Sequence, residues 1–395
     1  MRILFVTHNV PRFVGDAAGS FVLRLAVALQ GAGAHVDVIA PGGPGLPPVD
    51  RLEGVVIHRV RYGADDAMTL AYDGTMAESV RASWGGKVAL LRLLRAFRRA
   101  VRAQVATAIR AGEPYDVVHA HWWFPAGLSL WRALRPGAPA VVITMHGSDV
   151  RLAQGIAPAR RLMRSVLAAA AVRTAVSSWL ADRASVVAPG MRIHVEPMPV
   201  DTGSFVPSAT SRQGILFVGR LNAQKGLATL LEAMALPVLH GATLDVVGDG
   251  PDSAALHAQS DALNLRDRVR WHAALPQQAL VPHYQRAAVL ALPSTEEGLG
   301  LVAVEAQLCE TPVVAFASGG VPDVVRIDAG GTLVTPGDVS SFADAIARML
   351  ADPTIARRDG QRAREAMLSH FSPDAVAGRY LAHYRAAIMH EPAER

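Results

Sequence analysis

Residues 293–314 read PSTEEGLGLVAVEAQLCETPVV. The run VLAL just before them is short, apolar and uncharged, as a buried parallel strand is. It ends in Pro-Ser, and Glu297, Gly298 and Gly300 follow before an apolar helix start, LVAVEAQL, that carries Glu305. Such a strand–loop–helix unit sets a glycine turn at the carboxyl end of a parallel sheet. Glycines there let backbone N–H groups approach a phosphate, and the helix dipole favours the anion. A carboxylate before the turn can sit beside a sugar. One in the first helical turns can accept two ribose hydroxyls. Glu305 lies in an apolar run, where a carboxylate is costly unless hydrogen-bonded, so a partner is expected for it. A plain helix charge with one exposed Glu is the simpler alternative.

Three further segments of the same half have this strand-then-loop character. GRLNAQKG, residues 219–226, follows the strand GILFVG and places Arg220 and Lys225 at the mouth of the sheet, Lys225 opening a helix. Arginine offers a fork for phosphate oxygens and lysine a mobile point charge. Two solvated surface cations is the competing reading. VVGDGP, residues 246–251, begins like a dinucleotide fingerprint, but Ser253 stands where the third glycine belongs. A tight turn is expected there, and a nicotinamide enzyme is disfavoured. ASGGVPDVV, residues 317–325, carries Gly319 and Gly320 after a strand and reads equally as a close-approach loop or a plain turn.

Working outward, the strand-like runs RILFVT, HVDVIA, VVIHRV, YDVVHAH, AVVITMHG and VRTAVS recur in the first half, with helical stretches between several of them. This is the βα repeat of a doubly wound parallel sheet. EPMPVDTGSFVPSATSRQG, residues 196–214, holds three prolines and no helical period, and reads as an interdomain linker. After it GILFVGR, TLDVVGDG, VRWHAAL, AVLALPS and TPVVAFASGG start the pattern again. A helix-like tail runs from Ser372 to His390. The expected architecture is α/β, with two Rossmann-like halves facing across a cleft. Ligands of such sheets bind beyond the carboxyl ends of the strands.

In order and spacing, GRLNAQKG, VVGDGP, PSTEEGLGLVAVEA and TPVVAFASGGVPDVV resemble the carboxyl-terminal domain of retaining glycosyltransferases of family 4, which have the GT-B fold. The Glu-x7-Glu element, Glu297 and Glu305, is that family's most diagnostic feature. The resemblance covers about residues 215–335 well and the amino half more loosely. It implies residues 1–200 as the acceptor domain and 201–372 as the donor domain. It also implies a helix over 373–395 that crosses back to the first domain. It implies a nucleotide-diphosphate-sugar donor with Arg220 and Lys225 on the pyrophosphate, Glu305 on the ribose and Glu297 near the sugar. The backbone of Gly298, Leu299, Gly300, Leu301 and Val302 would meet phosphates and sugar, with Gly319 and Gly320 close by. The loop from His272 to Leu275 would flank the base.

In the amino half, VGDAAGS resembles the family's glycine-rich first loop, with Gly15 and Gly19 flanking Asp16 in place of an adjacent glycine pair. It is either a loop contact to donor or acceptor or a simple helix entry. His146 in TMHGSDV matches the family's His-Gly after a strand, which implies a place near the donor sugar and phosphate. HAHWWFPAG carries His119, His121, Trp122 and Trp123 at a strand end. His121 and Trp122 either line an acceptor pocket, where a Trp face stacks on sugar, or belong to a Trp-rich corner of the core.

Composition narrows the function classes. Hydrophobic residues make up 51% and charged residues 18% of the 395, which excludes a disordered chain. The single cysteine, Cys309, excludes a disulfide framework and a cysteine-based metal site, and suggests a reducing, cytoplasmic compartment. The opening MRILFVTHNV is too short for a signal-peptide core, and no run long enough for a membrane span is seen. No Asp-x-Asp pair is present, and His119 with His121 makes a poor metal set, so no metal and no cofactor are expected. Cations and helix dipoles must then stabilise a departing diphosphate. The net charge is +5, and of the 39 basic residues only Lys87 and Lys225 are lysine. Aromatic residues are 6% and do not alternate with basic ones, so nucleic acid is not an expected partner.

The helix expected from Lys87 to Arg110 sets Arg92, Arg95, Arg98, Arg99 and Arg102 within about a third of the helical wheel. That face either docks on anionic lipid at the inner side of the plasma membrane or is a solvated outer face. The leading expectation is a retaining, metal-independent glycosyltransferase acting on a glycan or lipid-linked acceptor in polysaccharide or lipid-linked glycan synthesis. A nucleotide-sugar isomerase or epimerase on the same architecture, and a non-catalytic nucleotide-sugar binding protein, are the alternatives.

Overall fold

Strands β9 (Ile215–Val218) and β12 (Val289–Leu292) show why the second half forms a covered sheet. Leu216, Val218, Leu290 and Leu292 enter one apolar cluster, while Ile215, Phe217, Val289 and Ala291 enter another. Successive side chains of a strand point to opposite faces, so a run with no polar residue needs a core on both sides. The computed structural model of the chain describes every residue except 17, 69, 73–75, 77–79, 81–82, 135–137 and 390–395. It divides into two units, one of Met1–Pro199 with Pro373–Arg395 and one of Val200–Ser372.

The second unit is a six-stranded sheet in the order β11-β10-β9-β12-β13-β14, parallel throughout. The chain lays β9, β10 (Leu244–Val247) and β11 (Val269–His272) to one side, then returns to β12 on the other. The loops after β9 and β12 therefore leave the sheet at its switch point, next to each other. Strands β13 (Val313–Phe316) and β14 (Thr332–Val334) complete it.

The first unit is an eight-stranded sheet in the order β3-β4-β2-β1-β5-β6-β7-β8. Its switch point lies between β1 (Arg2–Val6) and β5 (Val117–His121). On one side stand β2 (His35–Pro41), β4 (Val55–Val60) and the antiparallel edge strand β3 (Val49–Leu52). On the other stand β6 (Ala140–Met145), β7 (Val172–Ala175) and the two-residue β8 (His194–Val195). The C-terminal helix, Pro373–Met389, belongs to this unit and packs on helix Ser20–Gly31 and on β5, β6 and β7. The break ahead of it falls at Ser372, held extended by the following proline. Residue 390, the expected end of that helix, lies outside the described residues. The GT-B architecture, with a chain end that returns to the first unit, is thus present.

The segment 196–214 carries the boundary between the two units, as expected of a linker, and it is packed: Met198 is buried in the first core and Val200 and Phe205 in the second. Two other readings need correction. Strands β3, β8 and β14 were not legible, because each is short and lies at or next to an edge, where few side chains are buried. The long helix spans Trp84–Arg110 rather than starting at Lys87. Its cap is Ser83, whose hydroxyl accepts from the Gly86 N–H at 2.9 Å, and Gly85 and Gly86 disguise the first turn.

Candidate functional site

Lys225 and Glu297 meet at the switch point of the second sheet. Lys225 follows β9 and Glu297 follows β12, and Lys225 Nζ donates to Glu297 Oε2 at 2.6 Å. Both side chains are largely but not fully covered, at 20% and 15% exposure, so the pair is shielded yet open to a ligand. Lys225 does not open a helix. It ends the single turn Ala223–Lys225, capped by Asn222 Oδ1, and Gly226 separates it from helix Leu227–Met234. Gly226 has φ of 70° and lies against the Pro293 carbonyl, so no side chain fits there. That close approach is what brings the two loops together.

The Glu297 loop is held from both flanks. The Thr295 N–H donates to the Gln224 carbonyl at 2.8 Å, and the Gly320 N–H donates to the Glu297 carbonyl at 2.8 Å. The Glu296 N–H donates to Ser318 Oγ at 2.9 Å. Gly319, with φ of 60°, lies against the Glu297 backbone where a Cβ would collide. The expected glycine pair 319–320 is therefore the wall that fixes Glu297. Gly298 is half-buried, Leu299 enters the core, and Gly300 in the left-handed region starts helix Leu301–Leu308, with Leu301 and Val302 half-buried in its first turn. Arg220 is exposed in the first loop, and its side chain makes no ion pair among the described residues.

Glu305 is 5% exposed and has the partners its setting demanded. Gln277 Nε2 donates to Oε1 at 2.6 Å and the Tyr284 hydroxyl donates to Oε2 at 2.8 Å. Burial first, and the Glu305 charge second, hold the Tyr284 phenol well above its ordinary pKa, so it stays a donor. Both partners lie on helix Gln277–Arg286 and were missed in the sequence, where one Tyr and one Gln carry no pattern. At the end of β11, His272 Nε2 lies 3.1 Å from Asp245 Oδ1, and in the loop that follows the Ala274 N–H donates to Asp249 Oδ2 at 3.3 Å.

In the first unit, the switch-point loops gather aromatic and imidazole rings. Trp122, 6% exposed with φ of 68°, packs 4.3 Å from both His8 and His146 between ring centroids. His121 Nδ1 lies 3.1 Å from His146 Nε2, so one of the two facing nitrogens carries the hydrogen. His121 is fully buried, which makes it a support beneath His146. Burial lowers the His8 pKa to about 4 and that of His121 to about 3. Burial, then the neighbouring His121 and His8, put His146 well below the ordinary value. All three rings are neutral at pH 7.

Asp149 fixes this corner. Its Oδ1 accepts from the N–H groups of His146 and Gly147 at 3.2 and 3.0 Å, and its Oδ2 accepts from the Trp123 N–H at 3.0 Å. Burial raises its pKa to about 6, against the pull of those N–H groups. Neither His8 nor Asp149 was read from the sequence. The signal for Asp149 was the GSD turn after β6, a short polar residue two places past His-Gly. His119 is tied to Thr144 Oγ1 at 2.7 Å and to the Tyr384 hydroxyl at 2.8 Å, which joins the C-terminal helix to β5. In the first loop, Asp16 pairs with Arg12 at 2.7 Å, and that hydrogen bond lowers its pKa. Gly15 is exposed in the left-handed region, and Gly19 precedes helix Ser20–Gly31. Among the described residues no three His, Cys, Asp or Glu side chains stand together as a metal site. No helix among the described residues is long and apolar enough to cross a membrane.

Residues 205–366 match the family model described as Glycosyl transferases group 1, and residues 18–204 match that of Glycosyltransferase Family 4. A D-inositol 3-phosphate glycosyltransferase of Xylanimonas cellulosilytica is 32% identical, with 96% of this chain and 94% of that protein covered. The one of Mycobacterium avium is 33% identical, with 96% and 92% covered. Among solved structures, sucrose-phosphate synthase from Thermosynechococcus elongatus superposes with a TM-score of 0.75 at 26% identity, covering 97% of this chain and 98% of that one. Anabaena HepE in complex with UDP shares the fold, with a TM-score of 0.69 at 17% identity over 98% and 100% of the two chains.

Proposed function

The chain belongs to the group 1 glycosyl transferases of family 4, which transfer a sugar from a nucleotide-sugar donor, and on that premise we propose that its second unit holds the donor diphosphate at the Lys225–Glu297 pair. The observation that carries this reading is that pair, 2.6 Å apart at the switch point of the sheet and beside the start of helix Leu301–Leu308. A diphosphate arriving there competes with Glu297 for the lysine, and Arg220 in the same loop pairs with no carboxylate among the described residues. The helix N-terminus adds its dipole. Leaving-group charge is thus met by fixed cations and N–H groups. Glu305, oriented by Tyr284 and Gln277, is the carboxylate we assign to the ribose hydroxyls.

Transfer proceeds with retention by same-face attack. The C1–O bond to the diphosphate breaks, the C1–O bond to the acceptor forms on the same face, and the acceptor proton passes to the departing phosphate oxygen. Glu297 faces the positive charge that develops on the sugar. His146, kept neutral and backed by His121, contributes a hydrogen bond without adding charge. Both matched models describe glycosyltransferases, which speaks against an isomerase or a binding protein.

The acceptor we assign is a hydroxyl of a glycan or lipid-linked glycan in polysaccharide assembly, at the cytoplasmic side of a membrane. A second reading is a phosphorylated polyol, favoured by relatives named for D-inositol 3-phosphate that align along 96% of the chain. The test is incubation with UDP-, GDP- and ADP-sugars, UDP-sugars first because the HepE complex holds UDP. Each donor is offered with no acceptor, with D-inositol 3-phosphate and with a lipid-glycan extract. Acceptor-dependent release of nucleoside diphosphate supports transfer, and the arm that releases it decides the acceptor class. Conversion of donor without acceptor, or binding without turnover across the panel, refutes it.

A further inference from the structure

Helix Trp84–Arg110 does not carry one uniform arginine face. Arg98 donates to the Trp131 carbonyl at 2.6 Å and Arg102 to the Ala133 carbonyl at 2.8 Å, so two of the five arginines anchor a neighbouring segment. Arg92, Arg95 and Arg99 are exposed and have no acidic partner among the described residues. They line, with Arg61, Tyr62 and Ala96, a solvent-open cavity of about 500 Å³ at the end of β4. That volume is within the range of small-molecule sites. Arg61 is itself held toward Asp65 at 2.6 Å.

We propose that this cavity in the first unit is a phosphate-binding pocket in which Arg61, Arg92, Arg95 and Arg99 clasp a multiply charged phosphate group. Arg92 and Arg95 stand three residues apart, and Arg95 and Arg99 four. Like-charged neighbours at such spacings destabilise a helix, and nothing in the described surroundings of these three offsets it. A polyanion removes the repulsion and matches the planar forks of arginine in a way that a point charge does not. The small Ala96 between the arginines leaves room for the phosphate oxygens between them. The pocket belongs to the first unit alone and does not depend on the donor assignment in the second.

The source of the phosphate is either a soluble molecule or a lipid headgroup. Trp84, Val88 and Leu91, at 79%, 41% and 54% exposure, share the outer side of the same helix and lead up to Arg92, which is a surface suited to the apolar part of a lipid. Phenylglyoxal labelling of the full chain, with peptide mass spectrometry to resolve each arginine, tests the site and separates the sources. One arm adds inorganic pyrophosphate and one adds phosphatidylglycerol vesicles. A third adds sodium chloride at matched ionic strength, because plain screening also slows access to charge. The expected result is a severalfold slower labelling of Arg92, Arg95 and Arg99 with pyrophosphate or with vesicles, and no such slowing with chloride. The protecting arm identifies the source. Equal labelling in all arms, or equal protection by chloride, overturns the proposal. In R92Q/R95Q/R99Q, whose changes are at exposed positions, Arg61 remains as a reporter. Its protection should need roughly tenfold or more of the same ligand. Protection of Arg61 unchanged in that variant also overturns it.

Discussion

The Tyr384 hydroxyl lies 2.8 Å from His119 Nδ1, joining the last helix of the chain to the strand that ends beneath His146. The two residues are 265 apart in sequence, and both are fully buried. His119 also reaches Thr144 Oγ1 at 2.7 Å, and Thr144 reaches Thr174 at 2.6 Å, so the end of the chain is bonded into three adjacent strands. Tyr384→Phe keeps the ring and removes the hydroxyl, which leaves a buried imidazole nitrogen without its partner. The expected cost is about 1–3 kcal/mol in urea unfolding. An unchanged midpoint and slope would show that the contact does not stabilise the first unit.

Lys225→Ala and Arg220→Ala should weaken nucleoside-diphosphate binding while leaving the thermal transition near that of the wild type. A charge-assisted hydrogen bond is worth about 1.5–3 kcal/mol, so each change should cost roughly 10- to 150-fold in affinity by calorimetry. Lys225→Ala carries the larger expected loss, because it also leaves Glu297 without its cation, to repel a diphosphate bound at the proposed site. Wild-type affinity in both variants would remove the second unit's cations from the donor site.

The two acidic residues of the Glu-x7-Glu element should separate in kinetics. Glu305 sits behind Tyr284 and Gln277, and if it holds the ribose it binds ground state and transition state alike. Glu305→Gln should then raise the donor KM with little change in kcat. Glu297→Gln should lower kcat instead if Glu297 faces the sugar, since its charge would then matter most when the sugar becomes cationic. Matching profiles for the two variants would contradict the division of roles.

Acid should destabilise the first unit as its buried histidines are forced to take up protons. His121 has a folded pKa of about 3 and His8 of about 4, both depressed by burial from the ordinary 6.5. Below pH 6.5 the unfolded chain binds protons that the folded chain refuses, so stability is full above that value and falls as pH drops toward the folded values. Each such histidine contributes a slope of up to about 1.4 kcal/mol per pH unit. Asp149, raised to about 6, acts in the opposite sense, since its folded form gains a proton earlier than the unfolded one. Several histidines outweigh one carboxylate, so urea midpoints should fall steadily from pH 6.5 to 4.5. His121→Asn should flatten that fall. A midpoint independent of pH across the window would exclude neutral buried rings.

Much of this protein is determined by its sequence read locally. Uncharged apolar runs such as ILFV and VLAL have no stable place except a sheet covered on both faces, and the loops that follow them carry Lys225, Glu297 and the glycines in readable order. The glycine before a helix and the charge after a strand are short-range signals, set by backbone sterics and helix ends. Tertiary structure alone decided which of these residues meet. The Lys225–Glu297 pair closes over 72 residues because Gly226 can lie against Pro293, a contact that no local pattern encodes. The partners of Glu305, the bond from the Trp123 N–H to the Asp149 carboxylate, and the bond from Tyr384 to His119 are likewise long-range. So is the division of the helix arginines into two anchors and three that face a cavity. Helical periodicity gives the side of a helix on which a residue lies, but not which neighbour packs there. A single Tyr, Gln or Arg gains its role only when the core brings a distant chain segment within hydrogen-bond reach, and that placement is set by the packing of the whole unit.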